Sequence, residues 1–291
     1  MRLFYEMKSN LRLDQVKGLV DGGIRSVQPG IESLSTPVLR RMRKGVLARQ
    51  NVALLRYARI CGLGVKWNIL YGFPGDDAGD HAPMLELMPK LAHLPPPLAV
   101  GKITIQRFSD FFERPDDYGL ADIQPYPSYH DVFPPHAALD QLAYHLEASY
   151  PSGSVAAAEL IDALVQASRR WWKGWTAGSD RAPALAVTRV APGSYALVDT
   201  RGLGGGPLLY LNESQAAAVL VGGPLERVPL ARWAIHNAYA VELDGWCVPL
   251  ATAPYSLLFE LERRYSVSRS GTTTSSTSIP AATSKNSPST M

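Results

Sequence analysis

The sequence predicts an α/β protein: about four parallel βα units, then a small α+β module and a Ser/Thr-rich tail. Three observations carry that expectation. Short β-prone apolar runs alternate with helical stripes over residues 3–108. Two of the runs end in glycine-bearing turns, Gln28-Pro29-Gly30-Ile31-Glu32-Ser33 and Gly72-Phe73-Pro74-Gly75, where a strand hands over to a helix. The stretches between runs are long enough to hold crossover helices, which makes the pairing parallel. In such sheets ligands gather at the carboxyl ends of the strands.

In order, residues 3–7 form the first expected strand. Leu13, Val16, Leu19 and Val20 then fall at helical spacing and stop at Gly22-Gly23. A second strand covers 24–27. Ser35 or Thr36 caps a helix with Pro37 in its first turn and Val38, Leu39 and Met42 on its buried side. Leu54, Leu55, Ala58 and Cys61 continue a helical stripe to Gly62, and residues 65–71 form the third strand. A helix over 84–94 leads through Pro95-Pro96-Pro97 to a fourth strand at 103–108. Residues 109–135, dense in proline, aromatic and aspartate residues, read as an ordered loop, with helices over 139–147 and 156–173. From Ala184 short strands (184–190, 195–199, 208–211), helices (213–221, 229–238) and an Asp244-Gly245 turn suggest an α+β module of winged-helix type. The expected divisions are 1–150, 151–265 and a disordered tail over 266–291, too poor in large apolar residues to bury a core.

Composition excludes several classes. Hydrophobic residues make up 46% and charged residues 19%, as in ordinary folded domains. A net charge of +3 without a Lys/Arg block argues against nucleic acid. No apolar run approaches the ~20 residues that span a bilayer, and the opening residues do not form a signal peptide, so a soluble cytoplasmic protein is expected. Two cysteines, Cys61 and Cys247, make neither a disulfide framework nor a closed metal site, and the six histidines lack ligand spacing. Gly202–Gly206 lacks the Lys-Ser/Thr of a phosphate loop.

A series of blocks in one order resembles a known family. These are Tyr5-Glu6-Met7-Lys8-Ser9-Asn10, Gln28 to Ser33, Met42-Arg43-Lys44-Gly45, Trp67 to Gly75 and His93-Leu94-Pro95-Pro96-Pro97. Arg107-Phe108-Ser109, Phe112-Glu113-Arg114-Pro115, Tyr118-Gly119 and Leu142-Ala143-Tyr144 extend it. Residues 5–150 thereby resemble the later part of the radical SAM domain of cobalamin-type enzymes that mature ribosomally made peptides. The resemblance implies a partial TIM-type barrel, S-adenosylmethionine as cofactor, a 4Fe–4S cluster that cleaves it, and cobalamin for methylating a precursor peptide. It places Glu32 beside the bound S-adenosylmethionine, accepting from its ammonium or ribose hydroxyls, and marks Lys8, Asn10, Gln28, Ser33, Asn68, Gly72, Phe73 and Arg107 as further cofactor-binding candidates.

The sequence departs from that family in lacking the Cys-x-x-x-Cys-x-x-Cys loop that holds the cluster and the cobalamin-binding segment. The expectation is a C-terminal part of such an enzyme, completed by a missing N-terminal segment or a separate chain. A peptide-binding accessory module and an inactive remnant are the alternatives. Several residues keep two readings. Glu32 also suits a helix N-terminus, Lys66 also suits an exposed edge, and Arg107 also suits a salt bridge with Asp110 or Glu113. Phe111, Phe112, Tyr118, Tyr126 and Tyr129 fit the packing of a proline-rich loop better than a peptide entrance.

Overall fold

The computed structural model describes residues 4–176, 182–203 and 206–267. The tail expected over 266–291 lies, beyond Val267, outside them, as do Leu3 and Gly204-Gly205. Strands β1 (Phe4–Met7), β2 (Ser26–Pro29) and β3 (Gly64–Val65) form a parallel sheet with β2 central. A second parallel pair joins β4 (Ile69–Tyr71) to β5 (Val100–Lys102). The two sheets are stitched together: Lys66 N–H donates to Val27 O at 3.0 Å and Leu70 N–H to Glu32 O at 2.9 Å. Residues 64–71 therefore run along β2 and its extension before turning to meet β5. The result is a mixed α/β protein with a parallel N-terminal run, and no sheet among the described residues closes into a barrel.

Helices α1 (Leu13–Asp21), α2 (Thr36–Arg41) and α3 (Ala48–Cys61) follow the first strands. The Val52, Leu54, Leu55 and Ala58 side chains of α3 are fully buried, and Gly62 ends the helix at φ 70°, a left-handed conformation that glycine adopts without a Cβ clash. The helix expected over 84–94 is broken. α4 (Ala78–His81) and α5 (Pro83–Leu87) pass into a 3-10 turn, Met88–Leu91, in which Pro89 has no N–H to continue an α-helix.

The fourth strand expected over 103–108 shrinks to β6 (Ile105–Gln106), and the strand that continues the parallel run, β5, lies just before it. β6 leaves the parallel run and pairs antiparallel with β8 (His145–Ser149), which also pairs with β7 (Ala121–Pro125). The stretch read as loop thus carries α6 (Asp110–Glu113), β7 and α7 (Ser128–Val132). The helix expected over 139–147 shrinks to α8 (Leu139–Leu142), because Leu146 is needed as a strand residue in a small core with Ile105, Leu120 and Ala143. Cross-strand packing overrides helix propensity there.

α9 (Gly153–Ala156) precedes α10 (Ala158–Trp175), which packs Ile161, Leu164 and Trp171 against α5, the 3-10 turn and β5. The Trp171 indole donates to Leu94 O at 2.9 Å and the Trp67 indole to Pro95 O at 3.1 Å, with the rings edge-on at 6.0 Å. Beyond lie two three-stranded antiparallel sheets: β9 (Leu185–Ala191), β10 (Ser194–Asp199) and β11 (Leu208–Asn212), with β10 central; then β12 (Gly223–Pro224), β13 (Ala240–Leu243) and β14 (Trp246–Pro249), with β14 central. Helices α11 (Glu213–Leu220), α12 (Ala231–His236) and α13 (Tyr255–Val267) accompany them. The Asn212 side chain accepts from Gln215 N–H at 3.0 Å and caps α11. Asp244 and Gly245, both at positive φ, form the two-residue hairpin loop between β13 and β14.

One hydrophobic cluster runs from Leu55, Trp67 and Leu94 through Trp171 to Leu185, Leu220, Leu250 and Leu258. Polar ties cross it. The Arg56 guanidinium, 2% exposed, donates to Ala251 O at 2.6 Å and Leu220 O at 2.8 Å. Arg201 pairs with Asp199 and donates to Lys90 O at 2.7 Å. His93 Nε2 lies 2.8 Å from Leu250 O, so the neutral ring carries its proton on Nε2.

His93 generates the first prediction. Burial, then the nearby Arg201 charge, lowers its pKa from 6.5 to about 3. The folded state holds it neutral while the unfolded chain protonates near its ordinary value. Stability is therefore intact above about 6.5 and falls as pH drops, with this one residue contributing a slope of about 1.4 kcal/mol per pH unit between the two values. Urea unfolding as a function of pH should show His93→Gln, which keeps a donor for Leu250, losing that part of the slope. Parallel acid sensitivity in the two proteins would contradict the assignment.

Candidate functional site at the strand ends

The carboxyl ends of β1, β2 and β4 meet in one place because Gly30 N–H donates to Met7 O at 3.0 Å and Leu70 N–H to Glu32 O. After β2 the chain turns tightly: Ile31 N–H donates to Pro29 O and Ser33 N–H to Ile31 O. Glu32 takes the left-handed region at φ 54°, a conformation that disfavours a residue with a Cβ and is held here by its surroundings. Asn51 of α3 supplies part of that hold. Its buried amide donates to Ile31 O at 2.9 Å and Ser33 O at 2.8 Å. Ser33 is buried, its hydroxyl accepting from Ser35 N–H.

The Glu32 carboxylate stays partly accessible, with Lys44 Nζ 3.4 Å away. Both side chains lie over Gly30, where an added Cβ would sit 3.2 Å from Lys44 Nζ. Along the neighbouring segment, Trp67 and Ile69 are buried while Lys66 is exposed and Asn68 and Leu70 half-buried, the alternation of an extended chain. Lys8, Asn10 and Gln28 are exposed.

The Gly72–Gly75 turn is tied inward. Gly72 N–H donates to Ser154 Oγ at 2.9 Å, and Gly72 O accepts from Tyr150 OH at 2.8 Å. Phe73, itself buried, donates its N–H to Asp76 Oδ2 at 3.2 Å. Gly72, at φ +79°, is required by the protein itself, since a Cβ would sit 2.9 Å from Lys102 Cγ. A ligand reaching this turn meets van der Waals surface, because these polar backbone groups already have partners.

Asp76 anchors the turn. Its buried carboxylate accepts from Ser152 Oγ at 2.6 Å, Ser154 Oγ at 2.5 Å, Ser154 N–H and Phe73 N–H, and His81 Nε2 lies 3.2 Å from Oδ2. Burial works against the charge, yet the hydrogen bonds from Ser152, Ser154 and His81 outweigh it and lower the pKa. The set superficially matches a Ser-His-Asp triad, but the carboxylate stands between hydroxyl and imidazole. The hydroxyl donates to the acid instead of to the ring, and Ser154 and His81 are fully buried. This arrangement positions backbone and activates no nucleophile.

Arg107 does not form the salt bridge with Asp110 or Glu113 that is its second reading. It donates to Ala143 O at 2.7 Å and Asp140 O at 2.5 Å and lies over the Phe112 ring, while Asp110 pairs with Arg114. Sequence reasoning also missed Lys44 as the partner of Glu32, Asn51 as its support and the Asp76–Ser154 pair. The Lys44 block was visible in the resemblance; the other two span 18 to 78 residues of sequence and left no local signal.

The thiols are separate. Cys61 ends α3 and Cys247 lies on β14. Burial raises the Cys61 pKa and pushes Cys247 up to about 11, so both are protonated near neutrality. No group of three or more His, Cys, Asp or Glu side chains among the described residues is arranged to hold a metal, and no helix among them is long and apolar enough to cross a membrane. No protein-family model, curated protein or solved structure matches the chain.

Asp76→Asn replaces an acceptor of five hydrogen bonds with a group that also donates. Chemical denaturation should show a loss of about 3 kcal/mol or more, against about 1 kcal/mol for Ser152→Ala. The Asp76 contribution is present above the ordinary carboxylate pKa and disappears as pH falls through its lowered value. A neutral Asp76→Asn substitution would show that the turn is held by other means.

Proposed function

We propose that these residues are the cofactor-facing C-terminal part of a radical SAM enzyme that modifies, by C-methylation, a ribosomally made precursor peptide. In this reading the parallel run β1 to β5 is the later part of a TIM-type barrel. The observation that carries it is the convergence on Glu32 of three of the resembling blocks. Gln28 to Ser33 bears the carboxylate, Lys44 of the second block lies 3.4 Å from it, and Leu70 of the third donates to its carbonyl. A strand-end carboxylate held in a left-handed turn suits an acceptor for the ammonium or ribose hydroxyls of S-adenosylmethionine.

The residues do not fit the iron–sulfur cluster. A cluster takes three or four converging thiolates, and Cys61 and Cys247 lie on different elements. Radical generation in this reading needs thiolates, and methylation needs cobalamin, from polypeptide outside these residues. What this chain offers is orientation: Glu32 with Lys44 at the strand ends, and Asn68 half-buried on the neighbouring extended segment.

A second reading, a non-catalytic peptide-binding module, draws on the antiparallel cap formed by residues 105–149. Phe108, Tyr126, Val132, Phe133, Leu142 and Tyr144 are all exposed there, and aromatic surface of that kind suits peptide capture.

Calorimetric titration of S-adenosylmethionine into the full 291-residue chain, combined with anaerobic iron and sulfide analysis after reconstitution, tests the first reading. Saturable binding that weakens about tenfold or more in Glu32→Gln and is unchanged in Cys61→Ala is the expected result, with no stoichiometric cluster. Glu32→Gln binding like the parent, or no saturable binding, would refute it, and a stoichiometric cluster would overturn the statement that the thiolates come from outside these residues.

A further inference from the structure

Between the loop after β1 and the C-terminal sheet lies a cavity of about 510 Å³, bounded by residues 10–14, α3, β14 and α13. That volume is in the range of small-molecule sites. Of the strand-end candidates only Asn10, at its rim, lines it; Glu32, Asn68 and Gly72 do not.

Its walls are largely apolar, with Leu11, Ala53, Val248 and Phe259 among them, and its charges are unbalanced. Three guanidiniums (Arg12, Arg49 and Arg56) face two carboxylates, Asp14 and Glu262. Arg12 and Asp14 satisfy each other at 3.0 Å in solvent. Arg56 is held by the uncharged carbonyls of Ala251 and Leu220, and burial opposes its charge. Arg49 is the telling residue. Its guanidinium lies 4.1 Å from the centroid of the Trp246 ring, and its Nε is buried without a hydrogen-bond partner among the described residues. Stacking on an indole fixes the plane of a guanidinium and leaves its edge donors to an in-plane acceptor, which a carboxylate matches. A buried donor without an acceptor is rare in a settled core and is relieved when a ligand provides one.

We propose that this cavity binds a small organic carboxylate with an apolar body, the carboxylate on Arg49 and the body against Phe259 and Val248. The apolar walls and the single stacked guanidinium favour a monoanion over inorganic phosphate. Cys247, which also lines the cavity, takes no covalent part, its thiol being protonated.

The test is calorimetry on the full chain with 3-phenylpropionate, its uncharged amide, and inorganic phosphate. The acid should saturate one site, the amide should bind at least tenfold more weakly, and phosphate should not compete. Arg49→Gln should abolish the preference for acid over amide. Ala53→Leu, which fills the cavity without changing charge, should weaken both ligands, and it keeps the test decisive if Arg49→Gln does not fold. Absence of saturable acid binding, equal affinity for acid and amide, a preference retained in Arg49→Gln, or binding unaffected by Ala53→Leu would each overturn the proposal.

Discussion

The buried guanidinium of Arg56 is the constraint on which the rest of the molecule depends. An amphipathic helix ordinarily presents apolar groups to a core, and α3 does so with Val52, Leu54, Leu55 and Ala58 but also buries this cation. A buried cation there requires acceptors, and it finds them in carbonyls at the end of α11 and just after β14. Those carbonyls sit at element ends, where the backbone would otherwise be left unpaired inside the protein. One side chain thus fixes two distant points of the C-terminal sheet region onto a single helix.

The same helix fixes the strand-end face. Asn51 lies five residues before Arg56, on a different side of α3, and its amide holds the carbonyls of Ile31 and Ser33. The loop that carries Glu32 and the module that carries Leu220 and Ala251 therefore share one rigid support. On the far side of the face, Asp76 does the equivalent for the Gly72–Gly75 turn by gathering Ser152, Ser154 and His81. These ties hold the backbone on both sides of the strand ends and leave the Glu32 and Lys44 side chains as a partly accessible ion pair there. Preorganisation of this kind suits a site that positions a ligand.

Local chemistry explains what the sequence makes legible. The turn at Gly22-Gly23, the left-handed stop at Gly62 and the Asp244-Gly245 hairpin were readable because each is set by a few adjacent residues. Glu32 was readable because it directly follows a strand. The helix over 84–94 failed at Pro89, and the one over 139–147 failed because Leu146 is recruited by β6 and β7, partners remote in sequence. Arg107 meets carbonyls of Asp140 and Ala143, on and just after the short helix α8, 33 and 36 residues further along the chain. Arg56 looks like a solvated position on a helical wheel, and Asn51, though on the apolar stripe, shows no partner in the sequence; only the packing of elements on both sides of α3 reveals what each holds.

The central claim is that α3, through its polar ties on two sides, makes the N-terminal parallel run and the C-terminal sheets one cooperative unit. Native-state hydrogen exchange in increasing urea tests it most directly. The amides of Leu55 and Ala58 in α3 should open with the same free energy and the same denaturant dependence as that of Leu197 in β10, in one global event. Opening of β10 at a distinctly lower free energy, with α3 still protected, would show two independently stable parts and contradict the account.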